Sequence, residues 1–194
     1  MKIIGITGGV GSGKSEILKI LKEDYGAQIL IADQIAHELM KPGAISYDEI
    51  VDFFGRDILK EDQTIDRERL GEIVFHDKDK LLKLNKMTHH NVDQELIRRI
   101  HKAEQENKAM VVCEAALLVG AEYEKLFDQL WYIYTKEEVR RERLKASRGY
   151  SDEKISQMIK NQKSENEFRR LADHMIDNSG DIEETKCQIK SILK

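Results

Sequence analysis

Apolar and polar positions along this 194-residue chain follow two rhythms. Short, nearly unbroken β-prone runs recur at 2–7 (KIIGIT), 27–32 (AQILIA), 109–114 (AMVVCE) and 128–135 (DQLWYIYT), with a weaker fifth at 174–177 (HMID). Runs that do not alternate suit strands covered on both faces. Longer stretches with helical spacing separate them, and this alternation predicts an α/β fold on a parallel five-stranded sheet.

The spacing is uneven. Residues 33–108 carry helical patterning without a clear strand, which is too much chain for one crossover. Within them Leu81, Leu84, Val92, Leu96, Ile100 and Ala103 recur near helical spacing and predict one long amphipathic helix or two in succession. Pro42 and Gly43 form a turn ending the helix that begins near Asp33. Residues 44–107 are read as a helical substrate lobe inserted into the sheet domain. A second excursion, 136–170, is rich in Arg and Lys and broken at SRGYSDEK, where Ser151 suits an N-cap; it reads as a lid. The sheet core is left with 1–43, 108–135 and 171–194.

Composition excludes some classes. The chain is 35% charged with a formal net charge of −4, so it has no basic field for gripping nucleic acid, and affinity for anions must be local. Cys113 sits in an apolar run and makes no C-x-x-C pair with Cys187, which points to a reducing compartment. The opening apolar run is too short for a signal peptide and no stretch approaches bilayer length. The expectation is a cytoplasmic protein without nucleic-acid or membrane partners, monomeric or weakly homo-oligomeric.

Chemistry enters at GITGGVGSGKSE, residues 5–16. Gly8, Gly13, Lys14 and Ser15 satisfy G-x-x-x-x-G-K-[ST] between an apolar strand and an amphipathic helix, the context the motif requires. Glycines let successive N–H groups turn inward, the helix N-terminus adds partial positive charge, and Lys14 reaches the β- and γ-phosphates. Gly8, Gly11, Ser12, Gly13, Lys14, Ser15 and Glu16 are the expected ATP-binding loop. The Ser15 hydroxyl suits Mg²⁺, and Glu114, ending the third apolar run, is the candidate carboxylate beside it. A solvated acid at a strand end is the plainer reading of Glu114.

A phosphate loop does not name the acceptor. The guanine-reading N-K-x-D tetrad is absent, since NKMT and NQKS both lack the aspartate. Asp33 closes ILIAD at the edge of the second strand, where ligands of open α/β sheets collect. It can orient an acceptor hydroxyl and take its proton late in a loose phosphoryl-transfer transition state; it can equally cap the helix that follows. His37 falls near the expected acceptor groove. Arg143 and Arg148 are the lid candidates for phosphate, ahead of Arg140, whose acidic neighbours offer it other pairs. All three lie in a region where most arginines are only solvated.

Several stretches taken in order, namely TGGVGSGKS, ADQIAHELMKPG, LGEIVFHDKDKLLKLNKMTH, LKASRGYSDEKI, Asn161-Gln162 and ADHMIDNSG, resemble the dephospho-coenzyme A kinase family over nearly the whole chain. The resemblance implies a P-loop kinase fold with a helical acceptor-binding insertion at 44–107 and a helical lid. It implies ATP- and Mg²⁺-dependent phosphorylation of the ribose 3′-hydroxyl of dephospho-coenzyme A. By the same resemblance Asp33 matches the catalytic aspartate, Gly11 to Ser15 the ATP loop, and His89 the acceptor-side histidine. Asn178 and Gly180 stand where related P-loop kinases approach adenine, or form an ordinary turn. The chain departs at Ile31, where the family commonly has Asp; at His90, where it has Pro; at Gly120, where it has Glu; and at Ser147, where it has Arg. Glu122 and Glu124 are candidate replacements for the lost Glu. A nucleoside or nucleoside-monophosphate kinase shares the loop, insertion and lid, and a nucleotide sensor without catalysis would keep the loop alone.

Overall fold

The computed structural model describes residues 1–114 and 126–194. In chain order the strands are β1 (Lys2–Thr7), β2 (Gln28–Ile31), β3 (Met110–Glu114), β4 (Gln129–Tyr134) and β5 (His174–Asp177). The helices are α1 (Lys14–Tyr25), α2 (Ala32–Leu39), α3 (Ile45–Phe54), α4 (Arg67–Phe75), α5 (Lys78–Gln105), α6 (Glu137–Arg148), α7 (Asp152–Lys160), α8 (Glu165–Leu171) and α9 (Ile182–Leu193). Every strand lies within about a residue of its expected bounds, because unbroken runs of Ile, Val and Leu bounded by polar residues are legible without tertiary context.

The sheet order is β2-β3-β1-β4-β5. β1 pairs in parallel with β3 and β4, and β4 with β5. Ile4, Ile6, Val111, Val112, Trp131, Ile133 and Ile176 are buried, as strands covered on both faces must be. The register Gly5↔Cys113 and Ile6↔Glu114 sets the end of β3 beside the start of the phosphate loop. Burial pushes the Cys113 thiol up to about 12, which makes it an inert core residue.

The chain divides into two compact units, Met1–Ile29 with Ala103–Lys194, and Leu30–Lys102. The first contains most of the sheet, α1 and α6 to α9. In its lid segment α6 ends on Gly149 in the left-handed conformation, and the Ser151 hydroxyl accepts the Lys154 N–H to start α7. Ser164 and Glu167 form a capping box that starts α8, a signal present in the sequence as S-x-x-E.

Beyond the end of β2 the second unit is helical, with the isolated bridge Leu59↔Ile65 among its helices and turns. Its core gathers Tyr47, Ile50, Ile58, Ile65, Leu70 and Val74. The long apolar pattern is one continuous helix, α5, and two ties hold it to the other helices. Asn91 donates to Ser46 Oγ at 3.2 Å and to Glu49 Oε2 at 2.7 Å on α3. Arg99 bridges Glu95 on its own helix at 2.7 Å and Glu38 on α2 at 2.5 Å. The apolar stripe does not bury evenly: Val92, Leu96, Ile100 and Ala103 are core, but Leu81 is 38% exposed. No helix among the described residues is long and apolar enough to cross a membrane.

Candidate active site

The loop between β1 and α1 is shaped by its own backbone. Ser12 N–H donates to Gly9 C=O at 3.2 Å, and Gly13 caps α1 at φ +82° with no side chain on the helix end. A Cβ at Gly13 would collide with the Asn178 amide, so both conformation and space demand glycine there. Lys14 folds back over the loop. Its Nζ donates to Gly8 C=O at 3.0 Å and stands 3.6 Å from Glu114 Oε1. Ser15 and Glu16 are exposed on the first turn of α1. An uncapped helix end with a lysine curled over it is an anion receptor by construction.

Behind the loop Asn178 is 3% exposed, and its polar groups are all engaged within the protein. Its amide donates to Ser12 C=O at 2.9 Å, and its side-chain oxygen accepts from Thr185 Oγ1 at 3.2 Å. Its N–H donates to Tyr134 C=O at 2.8 Å, and its carbonyl accepts from Arg143 Nη2 at 2.9 Å. Thr135 Oγ1 adds a second donor to Ser12 C=O at 3.0 Å. Asn178, expected at the nucleotide, thus sits as a peg that holds the back of the loop. Ser12 Oγ and Thr7 Oγ1 are buried without a hydrogen-bond partner among the described residues.

The lid arginines separate sharply. Arg143 runs into the interior beside Gly13, with its Nη1 buried and without a hydrogen-bond partner among the described residues. Arg148 is exposed at the end of α6, its guanidinium 5.9 Å from the Tyr150 ring centroid. Arg140, placed last on the strength of its acidic neighbours, makes no ion pair with them; Arg141 takes Glu137 at 2.7 Å instead. Arg140 turns to the loop and donates from Nε to Val10 C=O at 2.8 Å. Arg140 and Arg143, three residues apart, are neighbours on the surface of α6 and both reach the loop, whereas Arg148 ends the helix; sequence neighbours do not reveal which arginine turns inward.

In the helical unit Asp33, Ala36, His37, Met40, Arg67, Leu70, Gly71, Val74 and Leu84 line a cleft of about 370 Å³. Its surface is chiefly apolar, with a carboxylate, an imidazole and a guanidinium among the lining groups. β2 ends at Ile31, so Asp33 lies in the first turn of α2 rather than closing the strand, and the helix cap is Ile31 without a side-chain bond. The capping reading of Asp33 is therefore not what the local geometry shows. Asp66 is a cap: its carboxylate accepts the Glu68 and Arg69 N–H groups and starts α4 with Arg67 at the cleft. Arg67 escaped the sequence reading because one arginine among many charged residues carries no signal until the helices meet. His89 is exposed on α5 and does not line this cleft. The departures at Gly120 and the candidate replacements Glu122 and Glu124 lie outside the described residues.

A parallel sheet with a glycine-rich loop feeding an uncapped helix, a lysine over that loop and an arginine-bearing helical lid define a P-loop kinase. The fold is shared with a shikimate kinase from Acinetobacter baumannii, at TM-score 0.56 and 19% identity over 100% of this chain and 93% of that one. The family model for dephospho-CoA kinase matches residues 2–184. The chain belongs to that family. Curated dephospho-CoA kinases from Carboxydothermus hydrogenoformans and Aquifex aeolicus are each 41% identical over all 194 residues, which span 94% and 97% of those proteins. The dephospho-CoA kinase structure from Campylobacter jejuni superposes at TM-score 0.72 with 28% identity, over 100% of this chain and 96% of that one. A Thermus thermophilus crystal structure reaches TM-score 0.82 at 27% identity, over 99% and 96%.

Proposed function

We propose that this chain transfers the γ-phosphoryl group of ATP to the ribose 3′-hydroxyl of dephospho-coenzyme A, giving coenzyme A and ADP. Membership of the dephospho-CoA kinase family makes it a phosphotransferase of coenzyme A biosynthesis. The observation that carries the residue-level reading is the phosphate loop itself, with Lys14 curled over an uncapped helix end.

In this reading the loop amides of residues 8–15 and Lys14 hold the β- and γ-phosphates. Lys14 already has Glu114 at 3.6 Å, and phosphate oxygens replace the loop carbonyl as its acceptors. Arg143 is the lid arginine for phosphate, ahead of Arg148, because a buried guanidinium N–H without a partner is costly until an anion supplies one. Asp33 orients the acceptor hydroxyl and takes its proton late, since a loose transition state asks chiefly for alignment. His37 and Arg67 share its cleft and are the proposed acceptor contacts, Arg67 for the diphosphate of dephospho-coenzyme A. His89 keeps its acceptor-side role only by family resemblance.

The donor set fits Mg²⁺. Ser15 and Glu114 offer oxygen ligands alone, and the described residues contain no cluster of three or more acidic, His or Cys side chains that would build a protein cage. An ion that keeps its waters and shares phosphate oxygens suits such a sparse site. Bound there, it would neutralise charge on the β- and γ-oxygens.

The test is ADP release from ATP with dephospho-coenzyme A, AMP, CMP, dCMP or nucleosides as acceptor. Turnover is expected with dephospho-coenzyme A. A response to AMP or CMP but not to dephospho-coenzyme A would overturn the acceptor, and ATP binding with no release from any acceptor would mark a nucleotide sensor.

A further inference from the structure

Two side chains of the lid segment grip both backbone polar groups of one residue in the phosphate loop, Val10. Arg140 on α6 donates from Nε to Val10 C=O at 2.8 Å and from Nη2 to Gln162 Oε1 at 2.9 Å. The same Gln162 oxygen accepts the Val10 N–H at 3.2 Å. The three hydrogen bonds close a ring from α6, through the α7–α8 connection, to the tip of the loop. Gly9 permits the approach: a Cβ there would lie 2.5 Å from Arg140 Nη2 and 2.9 Å from Gln162 Oε1.

The charge of Arg140 is handled unlike that of its neighbours. Arg141 pairs with Glu137 at 2.7 Å, Lys145 with Asp152 at 2.8 Å, and Arg169 with Glu165 at 2.7 Å. Arg140, half-buried, hydrogen-bonds to two neutral oxygens. Burial lowers its pKa from the ordinary arginine value, with Tyr132 and Glu137 acting the other way. A cation held without a bonded carboxylate leaves its field available to an incoming anion.

We infer that Arg140 and Gln162 are positioning residues for ATP. They fix the two peptide units that flank the Val10 Cα so that the loop holds its anion-receiving shape before nucleotide arrives, and Arg140 contributes positive charge behind it. The inference rests on the reading of the loop as the ATP site. Its physical basis is preorganisation: a loop ordered in advance does not draw on binding energy to become ordered.

The test compares wild type with Gln162→Met, which keeps the length and removes the acceptor, Gln162→Glu, which keeps an acceptor oxygen, and Arg140→Lys, which keeps charge and loses the fork. Amide hydrogen exchange at Val10 and calorimetric ATP titration are measured without acceptor, then steady-state kinetics with dephospho-coenzyme A. Gln162→Met and Arg140→Lys are expected to speed Val10 exchange and weaken ATP binding by about tenfold, the effect of losing one to two hydrogen bonds. Gln162→Glu is expected to retain Val10 protection, and the KM for dephospho-coenzyme A to stay within about twofold in Gln162→Met and Arg140→Lys. Unchanged Val10 exchange and ATP affinity in both Gln162→Met and Arg140→Lys would overturn the inference. Should Gln162→Met fail to fold, Arg140→Lys decides alone. A wild type that binds ATP but shows no turnover with dephospho-coenzyme A removes the acceptor assignment and leaves the Val10 and titration results decisive. A wild type that binds no ATP overturns the positioning role.

Discussion

Asn178→Ala separates a loop-holding role from a nucleotide contact. The asparagine is 3% exposed, and its side chain makes two hydrogen bonds, to Ser12 C=O at 2.9 Å and from Thr185 Oγ1 at 3.2 Å. Alanine removes both, but Ser12 C=O keeps Thr135 at 3.0 Å and the Thr185 hydroxyl keeps Asp181 C=O at 3.3 Å. Neither partner is left orphaned, so the loss is two net hydrogen bonds at about 1 kcal/mol each. The vacated space adds a smaller cavity term of about 1 kcal/mol, for a total of about 2–3 kcal/mol. Urea unfolding at pH 7 measures this directly, and ATP titration of the same variant should show weaker binding because the back of the loop is released. A variant with normal urea stability, losing under about 0.5 kcal/mol, yet binding ATP poorly, would refute the reasoning and return Asn178 to the nucleotide. Asn178→Asp sharpens the contrast. Its carboxylate sets an oxygen against Ser12 C=O, which raises the folded pKa, so the variant should gain stability relative to wild type as pH falls and the protonated acid regains a donor.

Asp33→Asn should lower kcat by at least about 100-fold while leaving ATP affinity nearly unchanged, measured by kinetics and titration together; near-normal turnover would remove Asp33 from the proton path. Arg67→Met should raise the KM for dephospho-coenzyme A by about tenfold and spare the KM for ATP, the pattern of a lost charge-assisted contact to the acceptor. Glu95, bonded chiefly by Arg98 and also by Arg99, has its pKa lowered from 4.5 to about 2. A depressed carboxylate stabilises the fold above its unfolded pKa and loses that contribution as pH falls through its folded one. The stability gap between wild type and Glu95→Gln should therefore be full at pH 7 and close between pH 4.5 and about 2. Arg98 is 64% exposed, so solvent screening holds the gap to about 1 kcal/mol; a gap that stays constant with pH would show that the carboxylate charge is not its source.

The strands, the phosphate loop and the helical insertion are legible in the chain because each depends on local pattern. Unbroken Ile and Val runs need no partner to read as buried strands, and G-x-x-x-x-G-K-S carries its backbone requirement in its glycines. Family resemblance supplied the acceptor, through motifs spread over the whole length. A local signal also misled: Leu81 falls on the apolar stripe yet stays exposed, since helical periodicity says which residues share a face but not whether another element covers it. Asp33 read as a strand end and lies in a helix, because the boundary between β2 and α2 has no glycine or capping side chain to mark it.

Pairings across long sequence separations are what only the tertiary structure decided. Asn178 meets Ser12 across 166 residues and Gln162 meets Val10 across 152, and nothing in either segment announces the other. The order β2-β3-β1-β4-β5 sets β4 beside β1, and Tyr134 and Thr135 then meet Asn178 and Ser12 behind the loop. The choice among Arg140, Arg143 and Arg148 follows from the angle at which α6 lies against that surface. By itself the sequence marked a phosphate-loop motif and where it lies along the chain. Which side chains stiffen the holder depends on packing, since a buried amide or guanidinium is assigned its partner by the space around it rather than by its neighbours in the chain.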